Sequence, residues 1–180
     1  MSYDVLKSET TYKGKIIDVV RDTISIPNGK STIREVVIHG DAAAIIPVDK
    51  QGNIIFVRQY RHPAKKEVLE IPAGMLEDGE DPLICAKREL EEETSFKAGN
   101  INLLFKMYSS IGFSTEVLYI YEAYNLEDGE FNFDEDEFIS VEKYSVDDAI
   151  KMIFNGEIED GKTISAVLAY KAKHSGKWKN

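Results

Sequence analysis

Through roughly the first 75 residues, short runs of β-branched and aromatic side chains alternate with turn signals. That is the pattern of strands rather than the 3.6-residue repeat of a helix. It predicts strands over Val5–Tyr12, Lys15–Arg21, Ser31–His39, Ala42–Val48, Ile54–Tyr60 and Glu67–Ile71. Asn28-Gly29 reads as a hairpin turn, and Gln51-Gly52-Asn53 as a shorter break. The repeat then changes. From Pro82 to about Thr94, Leu83, Ala86 and Leu90 form a narrow apolar stripe on a helix, with Asp81 placed to cap it and Pro82 suited to its first turn. Strands resume over Ile101–Tyr108, Glu116–Ala123 and Phe138–Tyr144. Ser145 followed by Asp148 is a capping signature that opens a helix to about Phe154. A last helix over Thr163–Lys173 puts Ile164, Val167 and Leu168 on one face. This order predicts an α/β class chain, a sandwich in which helices flank a mixed sheet.

Charge and cysteine content narrow the classes. The 180-residue chain carries a formal charge of −10 and a pI near 4.9. Such a balance argues against nucleic acid as a partner, because neutralising phosphates takes a basic stripe. A small anionic nucleotide stays compatible, provided metal ions and a few arginines do the neutralising. The single cysteine, Cys85, cannot form an intrachain disulfide, which suits a reducing cytoplasm. The start, MSYDVLKSE, lacks the apolar core of a signal peptide, and no apolar run approaches the roughly 20 residues of a membrane span. The expectation is a soluble cytoplasmic protein with no membrane partner.

The chemistry concentrates between Gly74 and Phe96. Glu89, Glu92 and Glu93 fall at i, i+3 and i+4 and so share one face of the predicted helix. In a partly buried cleft, at about 5 Å and an effective dielectric of about 20, each such pair repels by roughly 3 kcal/mol. A divalent cation removes that penalty. Hard oxygen ligands suit Mg2+ or Mn2+ better than zinc. The alternative is a solvated acidic helix, the usual nature of a charge run. Two features oppose it: the apolar stripe beside the glutamates, and Arg88, which stands next to the cluster and can hold a carboxylate.

Gly74, Glu80, Arg88-Glu89-Leu90, Glu92-Glu93 and Phe96 stand at the spacings of the Nudix box, and the segment resembles that family. The family pattern has a glycine where this chain has Ser95. Just past a helix a left-handed backbone is cheap for glycine and costs another residue about 1 kcal/mol. Val57–Pro63 (VRQYRHP), Leu69–Gly74 (LEIPAG), Ile33–Ala43 and Gly161–Tyr170 are similar to the ADP-ribose pyrophosphatase branch. One mark departs from that branch: in Ser110-Ile111-Gly112-Phe113, Ile111 replaces a proline and frees the loop backbone.

The resemblance implies a Nudix-type α/β/α sandwich with a mixed sheet over residues 41–180, preceded by an antiparallel β extension over residues 1–40. In the resembled branch that extension builds a homodimer; the alternative is an extra hairpin on a monomer. The implied activity is divalent-metal-dependent hydrolysis of the diphosphate bond of ADP-ribose or a related nucleotide sugar, giving AMP and ribose 5-phosphate. Glu89 and Glu93 are the implied side-chain metal ligands, with Glu92 bridging or binding through water and the Ala73 carbonyl as a further ligand. Glu80 orients Arg88 or reaches a peripheral ion. The base that activates water lies, by resemblance, in Asp134–Glu137, with Glu135 first and Glu137 second. Arg34 and Arg61 are candidates for the diphosphate or terminal ribose, either of which can instead make a structural ion pair, the role expected of Arg58. Glu70 contacts substrate or, in the bound state, metal, and Gly112 lies in the remaining substrate loop. The competing readings are a Nudix hydrolase of another nucleotide (a nucleoside triphosphate, a dinucleoside polyphosphate or a GDP-sugar) and a non-catalytic nucleotide sensor.

Overall fold

In the computed structural model, residues 3–129 and 139–176 are described. They divide into two compact units: the segment through Asp41 together with Tyr108–Val117, and Ala42–Met107 together with the chain from Leu118 onward.

The first unit is an antiparallel meander of β1 (Val5–Lys13), β2 (Ile17–Ser25) and β3 (Ser31–His39), in the order β1-β2-β3. The turn between β2 and β3 contains Asn28-Gly29, and Gly29 takes φ 80°, which glycine adopts without a Cβ penalty. The segment 110–114 of the same unit forms a turn, with Phe113 and Ser114 N–H donating to Ser110 O at 3.0 and 2.9 Å. It is tied to β3 by Val37 N–H to Phe113 O at 2.7 Å. The turn therefore forms with Ile111 in place of proline.

The second unit holds two sheets. One has the order β7-β4-β9-β8, from β7 (Ala73–Met75), β4 (Ala42–Pro47), β9 (Val117–Asp128) and β8 (Phe96–Tyr108). The other has the order β10-β5-β6, from β10 (Ser140–Ser145), β5 (Asn53–Arg61) and β6 (Lys66–Glu70). β4 runs parallel to β9, pairing Ala42 with Leu118 through Pro47 with Ala123, and antiparallel to β7. All six residues of β4 are buried, as a strand covered on both faces requires. Its alternation serves two cores. Ala43 and Ile45 pack with Cys85, Ala86 and Leu90 of the helix α1 (Pro82–Thr94). Ala42, Ala44 and Ile46 pack with Phe56 and Leu69 of the other sheet, with Met152 of α2 (Val146–Asn155) and with Val167 of α3 (Gly161–His174). At about 25 cal/mol per Å2 of apolar surface, fully burying one such aliphatic side chain contributes roughly 1.5–3 kcal/mol. Among the described residues no helix is long and apolar enough to cross a membrane.

Local signals set the helix ends. Asp81 accepts from Leu83 N–H at 2.8 Å, and Pro82 occupies the first turn, where its missing N–H costs nothing. Ser145 accepts from Asp148 N–H at 3.1 Å to cap α2. α1 ends at Ser95, with φ 59° and ψ 21°, the left-handed conformation that the Nudix pattern assigns to glycine. The Ser95 hydroxyl is buried and has no hydrogen-bond partner among the described residues.

Several expected boundaries move. β8 starts at Phe96 rather than Ile101, because the chain leaves Ser95 straight into a strand; β9 runs on to Asp128. β7 was not expected: it is short and contains a glycine, and it is strand only because Ala73–Met75 pair with Ala44–Ala42. The acidic run Asp134–Glu137, with the expected base Glu135 and its alternative Glu137, lies outside the described residues.

Candidate active site

α1 docks on β7, and that contact builds the site. Arg88 Nη2 donates to Met75 O at 3.2 Å, and Cys85 Sγ lies 3.5 Å from Gly74 O. Gly74 is needed for the approach. A Cβ there would stand 1.9 Å from Glu89 Oε1 and 2.1 Å from Glu89 Cδ. The Glu89 carboxylate thus lies on bare backbone, in space that any side chain would fill. Burial and the neighbouring Glu89 push the Cys85 thiol up to about 12, so it stays neutral at physiological pH.

Arg88 is the hub of the helix face. Nε and Nη2 donate to the two Glu80 oxygens at 3.2 Å each, while Nη1 donates to Glu89 Oε1 at 2.6 Å and Glu92 Oε2 at 2.9 Å. The Glu80 hydrogen bond, with Glu89 and Glu92 beside it, holds the guanidinium above its ordinary value despite partial burial. The same bond holds Glu80 below the ordinary carboxylate value. The contact with Arg88 is the one an orienting role for Glu80 requires.

Glu93 sits one turn from Glu89 and is only 4% exposed. Its Oε1 accepts from Gln59 Nε2 at 3.2 Å and its Oε2 from Ala73 N–H at 3.1 Å. The sequence points to the Ala73 carbonyl as a ligand; the contact seen here uses the other end of that residue, its N–H.

Beside this face, β5 and β6 carry a second charged cluster. Glu70 is 2% exposed and accepts from Arg61 Nε at 2.7 Å and Nη2 at 2.9 Å, and from Lys162 Nζ. Burial alone would raise Glu70, but the Arg61 hydrogen bond and the Lys162 charge hold it below the ordinary value. The bond to Glu70 raises Arg61 in turn. Arg61, Lys66, Val68, Glu70, Glu159 and Lys162 help line a cleft of about 420 Å3, within the range of small-molecule sites. Arg58 makes the structural pair expected of it, with Glu142 at 2.5 Å.

The second unit therefore brings together Glu89, Glu92, Glu93, Arg88, Ala73, Glu70 and Arg61. Arg34 and Gly112 belong to the first unit. Arg34 is exposed on β3, opposite Asp22, and donates to Ile33 O at 2.9 Å and Thr32 Oγ1 at 3.3 Å. Gly112 is exposed on its turn. Two residues were missed as site candidates. Gln59 stood in the VRQYRHP segment but drew no role. Lys162 stood in GKTISAVLAY, where the only local signal is a cation next to the Asp160 cap of α3.

Among the described residues, no trio of His, Cys, Asp or Glu groups surrounds one point closely enough to hold an ion. N–H groups of Arg88, Gln59 and Ala73 donate to these glutamates. The donor set nonetheless fits a hard divalent cation. It is made of carboxylate oxygens, Glu89 and Glu93 are buried, and the glycine at 74 keeps one wall clear of side chain.

Comparison with known proteins gives the family. A model of the "Nucleoside diphosphate sugar hydrolase N-terminal domain" matches residues 3–37. An ADP-ribose pyrophosphatase of Bacillus subtilis (strain 168) is 37% identical over 172 residues, covering 94% of this chain and 93% of that protein. A methanol dehydrogenase activator of Bacillus methanolicus is 38% identical over 164 residues, covering 90% and 89%. A crystal structure described as an ADP compounds hydrolase superposes with a TM-score of 0.88 at 20% identity, covering 99% of this chain and 98% of the other, a likeness of fold. With a NUDIX domain model matching residues 38–167, and with the glutamate helix seated on Gly74 inside that span, this chain belongs to the Nudix family.

Proposed function

We propose that this protein hydrolyses the diphosphate bond of ADP-ribose or a related nucleoside diphosphate sugar, releasing AMP and ribose 5-phosphate. Nudix hydrolases generally use divalent metal ions, and the ion proposed here is Mg2+, with Mn2+ as its substitute. The observation that carries the reading is the pair of buried carboxylates on α1, Glu89 against Gly74 and Glu93 against Ala73, beside a cleft lined by Arg61 and Lys162. The similarity to the Bacillus subtilis ADP-ribose pyrophosphatase over nearly the whole chain supports the substrate class. A solvated acidic helix is not compatible with glutamates that are 8% and 4% exposed.

Glu89 and Glu93 are the proposed metal ligands, with Glu92 joining directly or through water and the Ala73 carbonyl completing the set. Bound metal offsets phosphate charge, orients the diphosphate and lowers the pKa of a water nucleophile. Arg88, held by Glu80, keeps Glu89 and Glu92 in place. Arg61 supplies guanidinium N–H groups to phosphate oxygens, and Arg34 is a candidate for the diphosphate or terminal ribose. Glu70 accepts from both Arg61 and Lys162, so its contribution to substrate binding runs through those two cations. Gly112 contributes open backbone on its turn, and Glu135, or Glu137 in its place, takes the proton of the attacking water.

Residues 1–40 are proposed as a dimerisation element and residues 41–180 as the hydrolase domain. All nine residues of β1 are exposed, and Val5, Leu6 and Tyr12 on it are 60%, 61% and 56% exposed. Exposed apolar surface of that kind fits a second copy of the chain. A cytoplasmic protein with no nucleic-acid partner is the setting most consistent with its negative charge. The test is incubation with ADP-ribose and Mg2+ beside GDP-mannose, 8-oxo-dGTP and a diadenosine polyphosphate. Cleavage of ADP-ribose in preference to the rest supports the proposal. Light scattering checks the dimer, which should show twice the 20.3 kDa chain mass.

A further inference from the structure

We infer that Gln59 is a positioning residue for the metal site, setting the orientation of Glu93 from a neighbouring sheet. The inference rests on Glu93 being a metal ligand, as proposed above.

Glu93 accepts at both oxygens from neutral groups, the Gln59 amide at 3.2 Å on Oε1 and the Ala73 N–H at 3.1 Å on Oε2. Glu89 and Glu92 accept from the charged Arg88 guanidinium. The charge of a donor has a chemical consequence. A carboxylate offers about four lone-pair positions. A neutral donor takes one of them and fixes the plane of the group without cancelling its charge. A guanidinium fixes the plane but also competes electrostatically with any arriving cation. These two donors thus orient Glu93 without themselves cancelling its charge.

The donor also comes from a different sheet than β7. Gln59 lies on β5, opposite Val68, in the β10-β5-β6 sheet. Residues two apart on a strand share a face, so Gln59 and Arg61 point the same way, and Tyr60 between them is 57% exposed. Arg61 also feels the Glu93 charge directly. One face of β5 therefore supplies both the amide that aims Glu93 and the arginine that lines the cleft. The spacing between metal ligand and substrate cation is set by consecutive same-face positions of a single strand. Partners one step removed from a metal typically change affinity or activity by about 10–100-fold when removed.

The test uses the full chain as wild type, Q59M, Q59N and E93Q. Q59M keeps the volume but has no N–H donor; Q59N keeps the amide but is one methylene too short. Mn2+ binding is measured without substrate, by the electron paramagnetic resonance of free Mn2+, and ADP-ribose turnover is followed against metal concentration. The expected result is Mn2+ binding weakened about tenfold in both Gln59 variants, with the metal concentration for half-activation rising in step. KM for ADP-ribose at saturating metal should stay at the wild-type value. Wild-type Mn2+ affinity in either folded Gln59 variant overturns the inference, as does a raised KM with metal affinity intact. E93Q binding Mn2+ as well as wild type would instead remove Glu93 as a ligand, a failure of the underlying reading that this comparison separates from the first.

Discussion

Replacing Gly74 by alanine places a methyl carbon 1.9 Å from Glu89 Oε1 and 2.1 Å from its carboxyl carbon. Non-bonded carbons are comfortable near about 3.5 Å, so a gap of roughly 1.4 Å has to open. The strand cannot easily supply it, because Gly74 pairs with Ala43 of a fully buried strand and Met75 O is held by Arg88. The Glu89 carboxylate must move instead, and it takes the Arg88 contact with it. Metal–ligand distances tolerate only about 0.2 Å, and a displacement near 1 Å at a reacting site costs about 100-fold in rate. Overpacking adds about 1–3 kcal/mol of destabilisation. G74A should therefore fold, melt a few degrees lower, bind Mn2+ poorly and lose about 100-fold in kcat. Titration of turnover against Mg2+, with a Mn2+ binding isotherm and a thermal melt on the same preparation, reads all of these. A folded G74A with wild-type kcat and wild-type Mn2+ affinity would refute the reasoning, since the carboxylate would then not need the space above Gly74.

Three further outcomes follow from other parts of the molecule. S95G removes a left-handed strain of about 1 kcal/mol and a buried hydroxyl without a partner, worth about 1–3 kcal/mol, against about 0.5–1 kcal/mol of extra unfolded-state entropy. A net gain of about 1–3.5 kcal/mol should raise Tm by about 2–4 °C per kcal/mol; a lower Tm in thermal melts contradicts it. Glu70 and Glu122 are both held below the ordinary glutamate value of 4.5, against burial, by hydrogen-bonded cations. Their stabilisation is present above that value and is lost as pH falls through their lower folded values, so urea midpoints should be level from pH 7 to about 5.5 and fall below about 4.5. A midpoint that rises on acidification would reverse the sign and refute it. For the base, E135Q or E137Q should slow turnover at saturating metal while Mn2+ affinity stays unchanged; loss of Mn2+ binding would make that residue a ligand.

How far the sequence carried differs by element, for physical reasons. α1 was readable to the residue, since Asp81-Pro82 at its start and the Leu83–Ala86–Leu90 stripe are local signals that its tertiary contacts reinforce. β3 was bounded by the Asn28-Gly29 turn in the same way. β7 could not be read, because Ala73–Met75 has no strand pattern of its own and depends on pairing with β4. The early start of β8 hid behind Gly99-Asn100, which look like a turn; in the fold Asn125 takes positive φ beside Gly99 and binds Asn100 across the sheet. At the site, the spacing of Glu89, Glu92 and Glu93 revealed the shared face, and Arg88 was legible as its neighbour. Gln59 and Lys162 were not. Each gains its meaning from a partner far along the chain, Gln59 from Glu93 and Lys162 from Glu70, and no local pattern reports such a pairing.

Whether the buried carboxylates of α1 use a divalent ion to cleave a nucleoside diphosphate sugar is decided by incubating the purified protein with ADP-ribose and Mg2+, with and without EDTA, and resolving the products by anion-exchange chromatography. AMP and ribose 5-phosphate should form in equal amounts, only when free metal is present, and not at all in E93Q. Intact ADP-ribose, or AMP formed equally well in EDTA, would contradict that chemistry.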